Sequence, residues 1–243
     1  MMLTHFKLCP FSRTVRLLLG EFALEPELRD VMPWSPGSEV LAKNPAGTLP
    51  ILDTANGMTL CGSYPVAEFI AEIQSTGRDV AVALGARGGT PTATISPDLF
   101  PDMLEDRAEV RRLVDWFNLK CDREVTQEFL YEKVRSVLQP AANSTPNVQM
   151  LRAARANLNY HLDYLAFLAA NRNWLGGERI SLADFVAAAH LSVVDFLGEV
   201  DWDRHQPAKE WYQKIKCRPS FRPLLQDLVP GLRPPAHYGA LDF

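Results

Sequence analysis

Cys9-Pro10-Phe11-Ser12-Arg13, a few residues into the chain, limits the fold more than any other segment. Proline is tolerated in the first turn of a helix and breaks its interior. With residues 3–7 as a short strand, the segment reads as strand, tight turn, helix. Gly47-Thr48-Leu49-Pro50-Ile51-Leu52 follows as a proline entering a strand, and Cys61-Gly62-Ser63-Tyr64-Pro65 opens another helix. This order predicts a βαβ unit followed by a ββα unit. In such an arrangement both helix starts and the proline loop converge on one groove.

Apolar spacing fills in the rest. Val15, Leu18, Leu19 and Phe22 share one face of a helix over 11–22. Residues 28–31 form a second strand and 38–43 a short helix ended by Asn44-Pro45. Asn56-Gly57 is a strong turn signal between strands at 48–52 and 58–60. Ser63 is the expected cap of a helix reaching about residue 73. The α/β unit thus covers 1–75. Residues 76–101, rich in Gly, Thr, Ala and Pro, read as a linker or insertion. From 102 to 231 the pattern is helical. Val110, Leu113, Val114, Phe117, Cys121, Val125 and Phe129 form one stripe, and Leu151 to Leu168 carry a second. Ser181-Leu182-Ala183-Asp184 is an acid form of the capping box before an apolar helix over 185–197. Residues 232–243 form a proline-rich tail.

The bulk composition excludes several classes. The net charge of −4 supplies no basic field for nucleic acid or anionic lipid. Four dispersed cysteines in 243 residues form no metal-ligand spacing and suit a reducing cytoplasm rather than a disulfide scaffold. No signal peptide and no run long enough for a membrane span is evident. The sequence points to no metal.

The α/β unit, the helical region and the Ser181-x-x-Asp184 cap together resemble the glutathione transferase superfamily. The resemblance runs over nearly the whole chain and is most specific at 9–16, 47–52, Ser63 and 181–184. It implies a thioredoxin-like N-terminal domain, a C-terminal helical-bundle domain, a homodimer and a thiol site between the domains. Pro50 matches the family's cis-proline. Ser12, Leu49, Pro50, Gly62 and Ser63 match glutathione-site positions, with Ser63 facing the glutamyl carboxylate. The residue before that serine is ordinarily an acid, and here it is Gly62. Loss of a charge-assisted contact of about 1.5–3 kcal/mol predicts a groove that persists while glutathione binding weakens.

Two readings of function stand. In one, Cys9 or Ser12 handles a thiol, with glutathione as cofactor. The helix start and Arg13 then favour the Cys9 thiolate. In the other the protein has no catalytic residue and no cofactor, and it works through its surface. The Gly62-Ser63 departure, Trp34 in its proline loop and the ending His237-Tyr238-Gly239-Ala240-Leu241-Asp242-Phe243 resemble a group in the superfamily that binds FtsZ, the bacterial tubulin homologue. That resemblance implies a cytoplasmic division-site dimer that binds FtsZ filaments and influences their curvature and constriction. Trp34, His237, Tyr238, Leu241, Asp242 and Phe243 are then the candidate partner-binding residues, and a second division protein is a further candidate partner for the tail. The alternatives are that Trp34 packs on its neighbours and that the tail is a strap on its own helical domain.

Overall fold

The computed structural model describes residues 1–35, 37–85, 98–139 and 145–241. Strand β1 (Met2–His5) leads into α1 (Pro10–Glu21), and β2 (Glu27–Asp30) returns parallel to β1. After α2 (Ser38–Lys43), β3 (Ile51–Asp53) and β4 (Thr59–Cys61) form a hairpin, with β3 antiparallel to β1. The strand order is β2-β1-β3-β4. Leu3 sits opposite Leu28 and Leu52, fixing which face of the sheet is buried. The Leu49–Pro50 peptide is cis. Helix α3 (Ser63–Ser75) closes this domain.

The expected linker has more structure at its start than its composition suggests. Helix α4 (Val80–Ala83) is capped by the Asp79 side chain, which accepts from the Val82 N–H. Val80, Ala83 and Leu84 are buried, and Asn56 in the hairpin turn donates to the Ala83 carbonyl. The Gly/Thr-rich centre, residues 86–97, lies outside the described residues.

The helical domain begins with α5 (Leu104–Asp115). The sequence predicts a regular amphipathic helix here. The helix instead passes through a π-helical stretch (Trp116–Thr126), one α turn, α6 (Gln127–Phe129), a second π stretch (Leu130–Arg135) and α7 (Ser136–Leu138). Phe117, Cys121, Val125 and Phe129 are all buried. Their steps of four outrun the 3.6-residue α period, and the wider winding keeps them on the inner face. Helix α8 (Val148–Asn171) follows, capped by Asn147. In α9 (Leu182–Phe196) every residue is buried. Asp184 in its first turn accepts from the N–H groups of Ser181 and Leu175, the Ser181 hydroxyl and the Trp211 indole. That one carboxylate joins α9 to the preceding loop and to α10 (Gln206–Lys216). Among the described residues no helix is long and apolar enough to cross a membrane.

The two domains meet where α1 lies along α9. Behind α1 the backbone of Ser220 comes so close that a Cβ on Gly20 would sit 3.1 Å from the Ser220 Cα. Between the domains, Phe6, Leu8, Cys9 and Leu49 pack with Val134, Val193, Phe196, Val229 and Tyr238. The tail therefore contributes to the interdomain core. A short 3-10 turn (Ala236–Gly239) inserts the Tyr238 ring edge-on against Phe196 at 5.3 Å. Tyr238 is fully buried; its hydroxyl accepts from Arg13 and donates to the Leu224 carbonyl, both at 3.1 Å. His237 lies 3.0 Å from Asp195 and its carbonyl accepts from buried Lys216.

This placement corrects the expectation that Tyr238 presents itself to a partner: it holds the strap in place from inside, while His237 stays half-exposed beside Asp195. Leu241 emerges at the surface, while Asp242 and Phe243 lie outside the described residues. Truncating Tyr238 to Ala leaves a cavity and removes one of the acceptors of the buried Arg13 guanidinium, and should cost about 3–5 kcal/mol in denaturant unfolding. Deleting residues 241–243 should leave the melting temperature nearly unchanged.

Candidate functional site

The groove predicted from the three segments exists as an interdomain cleft with two lobes. The larger, about 1070 Å3, runs past Ser63, Gly62 and Leu49 to Arg111 and Arg123. The smaller, about 660 Å3, is lined by Cys9, Trp34, Leu49, Tyr131 and Met150. Phe11, Thr48, Leu49, Asp122 and Gln127 line both lobes. The structure thus gathers Cys9, Leu49, Gly62, Ser63 and Trp34 around one opening, and it excludes Ser12.

Ser12 is fully buried in α1. Its hydroxyl accepts from the Phe6 N–H at 3.4 Å and also hydrogen-bonds the Cys9 thiol. It lines neither lobe, so as placed it is turned away from a thiol bound in the cleft.

Cys9 caps α1, yet its surroundings oppose the expected thiolate. Burial pushes the thiol above the ordinary cysteine range, and the charge of Asp122 adds to that effect against the hydrogen bonds from Ser12. Arg13 gives no help, because one turn along α1 its guanidinium points away from the cleft. It donates to the Lys7 carbonyl at 2.7 Å, the Ser192 hydroxyl at 2.7 Å and Tyr238, and lies 3.5 Å from Asp227. The expectation that Arg13 activates Cys9 is therefore overturned by the long-range contacts that claim Arg13.

Ser63 is buried at the first position of α3. The cap itself is Gly62, a correction to the sequence reading. Gly62 has φ +92° and ψ 151°, a region open essentially to glycine. A Cβ there would lie 3.3 Å from Pro65 Cδ. An acid at 62 is thus disfavoured by the backbone as well as absent from the sequence. Gly62→Asp should lower unfolding stability by about 1–3 kcal/mol, read by chemical denaturation.

Trp34 is half-buried, edge-on to Phe6 with ring centroids 5.6 Å apart, and its exposed part faces the smaller lobe. It packs on a neighbour and lines the groove at once.

Sequence reasoning missed Asp122. The first π stretch brings this carboxylate to the cleft floor, where it is 3 % exposed. Its Oδ2 accepts from Gln127 at 2.5 Å, while Oδ1 has no hydrogen-bond partner and lies 3.9 Å from His190 Nδ1. Burial raises its pKa to about 6, and keeps His190 down at about 3, so the imidazole is neutral. An isolated acid in an apolar stripe is a weak sequence signal. Its site would have been visible only from the steps of four that accompany the π winding. Among the described residues no group of three His, Cys, Asp or Glu could hold a metal ion.

The raised acid has a definite linkage consequence. Between about pH 4 and pH 6 the folded state keeps the Asp122 proton that the unfolded chain releases. Its contribution therefore stabilises at low pH and is lost as pH rises through 6. The stability of the wild type minus that of Asp122→Asn should fall by on the order of 2 kcal/mol over that window and flatten above it. Urea titrations at stepped pH measure the difference.

Comparison with known proteins is consistent with this geometry. The family models of the glutathione S-transferase N-terminal and C-terminal domains match residues 8–73 and 133–219. A curated relative from Caulobacter vibrioides, FtsZ-localized protein A, is 42 % identical over 99 % of this chain and 97 % of its own length. The solved structure of FzlA from C. crescentus superposes with a TM-score of 0.86 at 40 % identity, covering 100 % of this chain and 99 % of that one. A glutathione S-transferase from Rhodospirillum rubrum gives 0.84 at 38 % identity, again over 100 % and 99 %. With a four-stranded mixed sheet, an all-helical second domain and this full-length similarity, the chain belongs to the glutathione S-transferase family.

Proposed function

We propose that this chain is a non-catalytic member of the family that acts at the bacterial division site. It binds FtsZ filaments as a homodimer and influences their curvature and constriction. The observation that carries the proposal is the full-length 42 % identity to FtsZ-localized protein A. The cleft supports it from a second direction, because the Ser12 hydroxyl is turned inward and the Cys9 thiol is held protonated. The protein on this reading needs no cofactor.

Its working surfaces are Trp34 and the chain end from Leu241 through Asp242 and Phe243. Burying Leu241 or Phe243 contributes about 1.5–3 kcal/mol each, offset by about 1–2 kcal/mol per backbone residue ordered. One tail therefore binds weakly. A dimer presents two tails to a filament with many sites, and effective concentrations on the order of millimolar turn weak contacts into avidity.

Co-sedimentation with polymerised FtsZ tests the proposal. The wild type should pellet with polymer. Trp34→Ala and deletion of 241–243 should each reduce pelleting, and a monomeric variant should pellet less than Cys9→Ala. Equal pelleting of monomer and dimer refutes the avidity argument. Absence of pelleting, combined with micromolar glutathione binding by calorimetry and turnover of an electrophile, would establish the transferase reading instead.

A further inference from the structure

The smaller lobe of the cleft carries an imbalance of charge that the thiol chemistry of the fold does not use. Three carboxylates line it, Asp122, Glu128 and Glu132. Among the described residues no lysine, arginine or histidine does so. Trp34, Phe6 and Tyr131 supply aromatic wall. Glu132 is engaged at one oxygen by the Asn147 N–H, and Arg135 lies over the Tyr131 ring at 4.7 Å. Glu128 is half-buried and makes no ion pair among the described residues. Beneath them Asp122 is nearly wholly buried, with Oδ1 unpartnered. Oδ1 is closed off beside His190, and with no donor to offset it the charge of this carboxylate adds to the negative field in the lobe above. Aromatic faces beside carboxylates form the usual environment for an organic cation.

We propose that the smaller lobe receives a lysine or arginine side chain of a partner polypeptide, with its apolar stem along Trp34 and its charge toward Asp122 and Glu128. A polypeptide is the occupant the cleft favours over a free amine. The lobe opens through Thr48 and Leu49 into the larger one, where the N-terminus of α3 and Arg123 face the opposite charge. A free polyamine has no group to place there. A segment with an acidic residue close to its basic one has both. The site does not require that the partner be FtsZ.

The test is a titration of the isotopically labelled full-length protein followed by NMR. The probes are Ac-Leu-Arg-Gly-Glu-NH2, the same peptide with neutral citrulline for arginine, and spermidine. The arginine peptide should shift the Trp34 indole resonance and bind about tenfold or more tightly than the citrulline peptide. Glu128→Gln should remove most of that preference while leaving the melting temperature in place. Asp122→Asn should weaken the arginine peptide further. Spermidine should bind more weakly than the arginine peptide. Equal binding of the two peptides, binding of neither, a preference that survives Glu128→Gln, or tighter binding of spermidine would each overturn the proposal. Should Asp122→Asn fold poorly, Glu128→Gln at the cleft wall still decides it.

Discussion

The structure depends on a buried cluster of charge where α1 meets the helical domain. Arg13 is wholly buried, and Arg16 one turn on forms two hydrogen bonds with Asp227, at 2.7 and 3.0 Å. Two guanidinium groups from the α/β domain are thereby held by a carboxylate, a hydroxyl and a phenol from the helical domain and tail. Such a cluster adds little net stability over a well-packed apolar contact, but loss of one partner leaves charge stranded at about 3–5 kcal/mol. Its main effect is on geometry. An apolar seam can slide, whereas this one is held by directional bonds from Arg13 to the Lys7 carbonyl, Ser192 and Tyr238 and from Arg16 to Asp227. The cleft lies along that seam, so its width and the positions of Leu49, Asp122 and Trp34 follow from how Arg13 and Arg16 are anchored.

The same cluster separates this cleft from a thiol-activating one. A cysteine at a helix start gains nucleophilicity from nearby positive charge. Here the nearest candidate cation on α1 is turned toward the domain junction, and Asp122 approaches from the other side. The dipole of α1 remains, but burial and a negative neighbour outweigh it. Gly62 carries a parallel lesson at the other end of the cleft, where the backbone conformation itself excludes most side chains.

Local signals made much of this legible in the sequence. Proline placement gave α1, the cis bond site and the start of α3. Asn56-Gly57 gave the hairpin, and Ser181-x-x-Asp184 gave the start of α9. Each is a constraint acting within a few residues. The features that escaped are of two other kinds. The bonds from Arg13 to Ser192 and Tyr238 span nearly the whole chain, and nothing near Arg13 announces them. The π stretches change winding without changing composition, so nothing in the sequence distinguishes Asp122 from a solvated acid on a helix. Tyr238 was read for its aromatic character, and only the fold shows the pocket prepared for it by Phe196 and Leu224.

The way the strap is seated has a mechanical implication. Tension applied at the chain end passes through residues 239–241 to the Tyr238 ring and from there into Arg13 on the opposite domain. The terminus is thus a hitch bolted across both halves of the protein rather than a loose rope fixed to one of them.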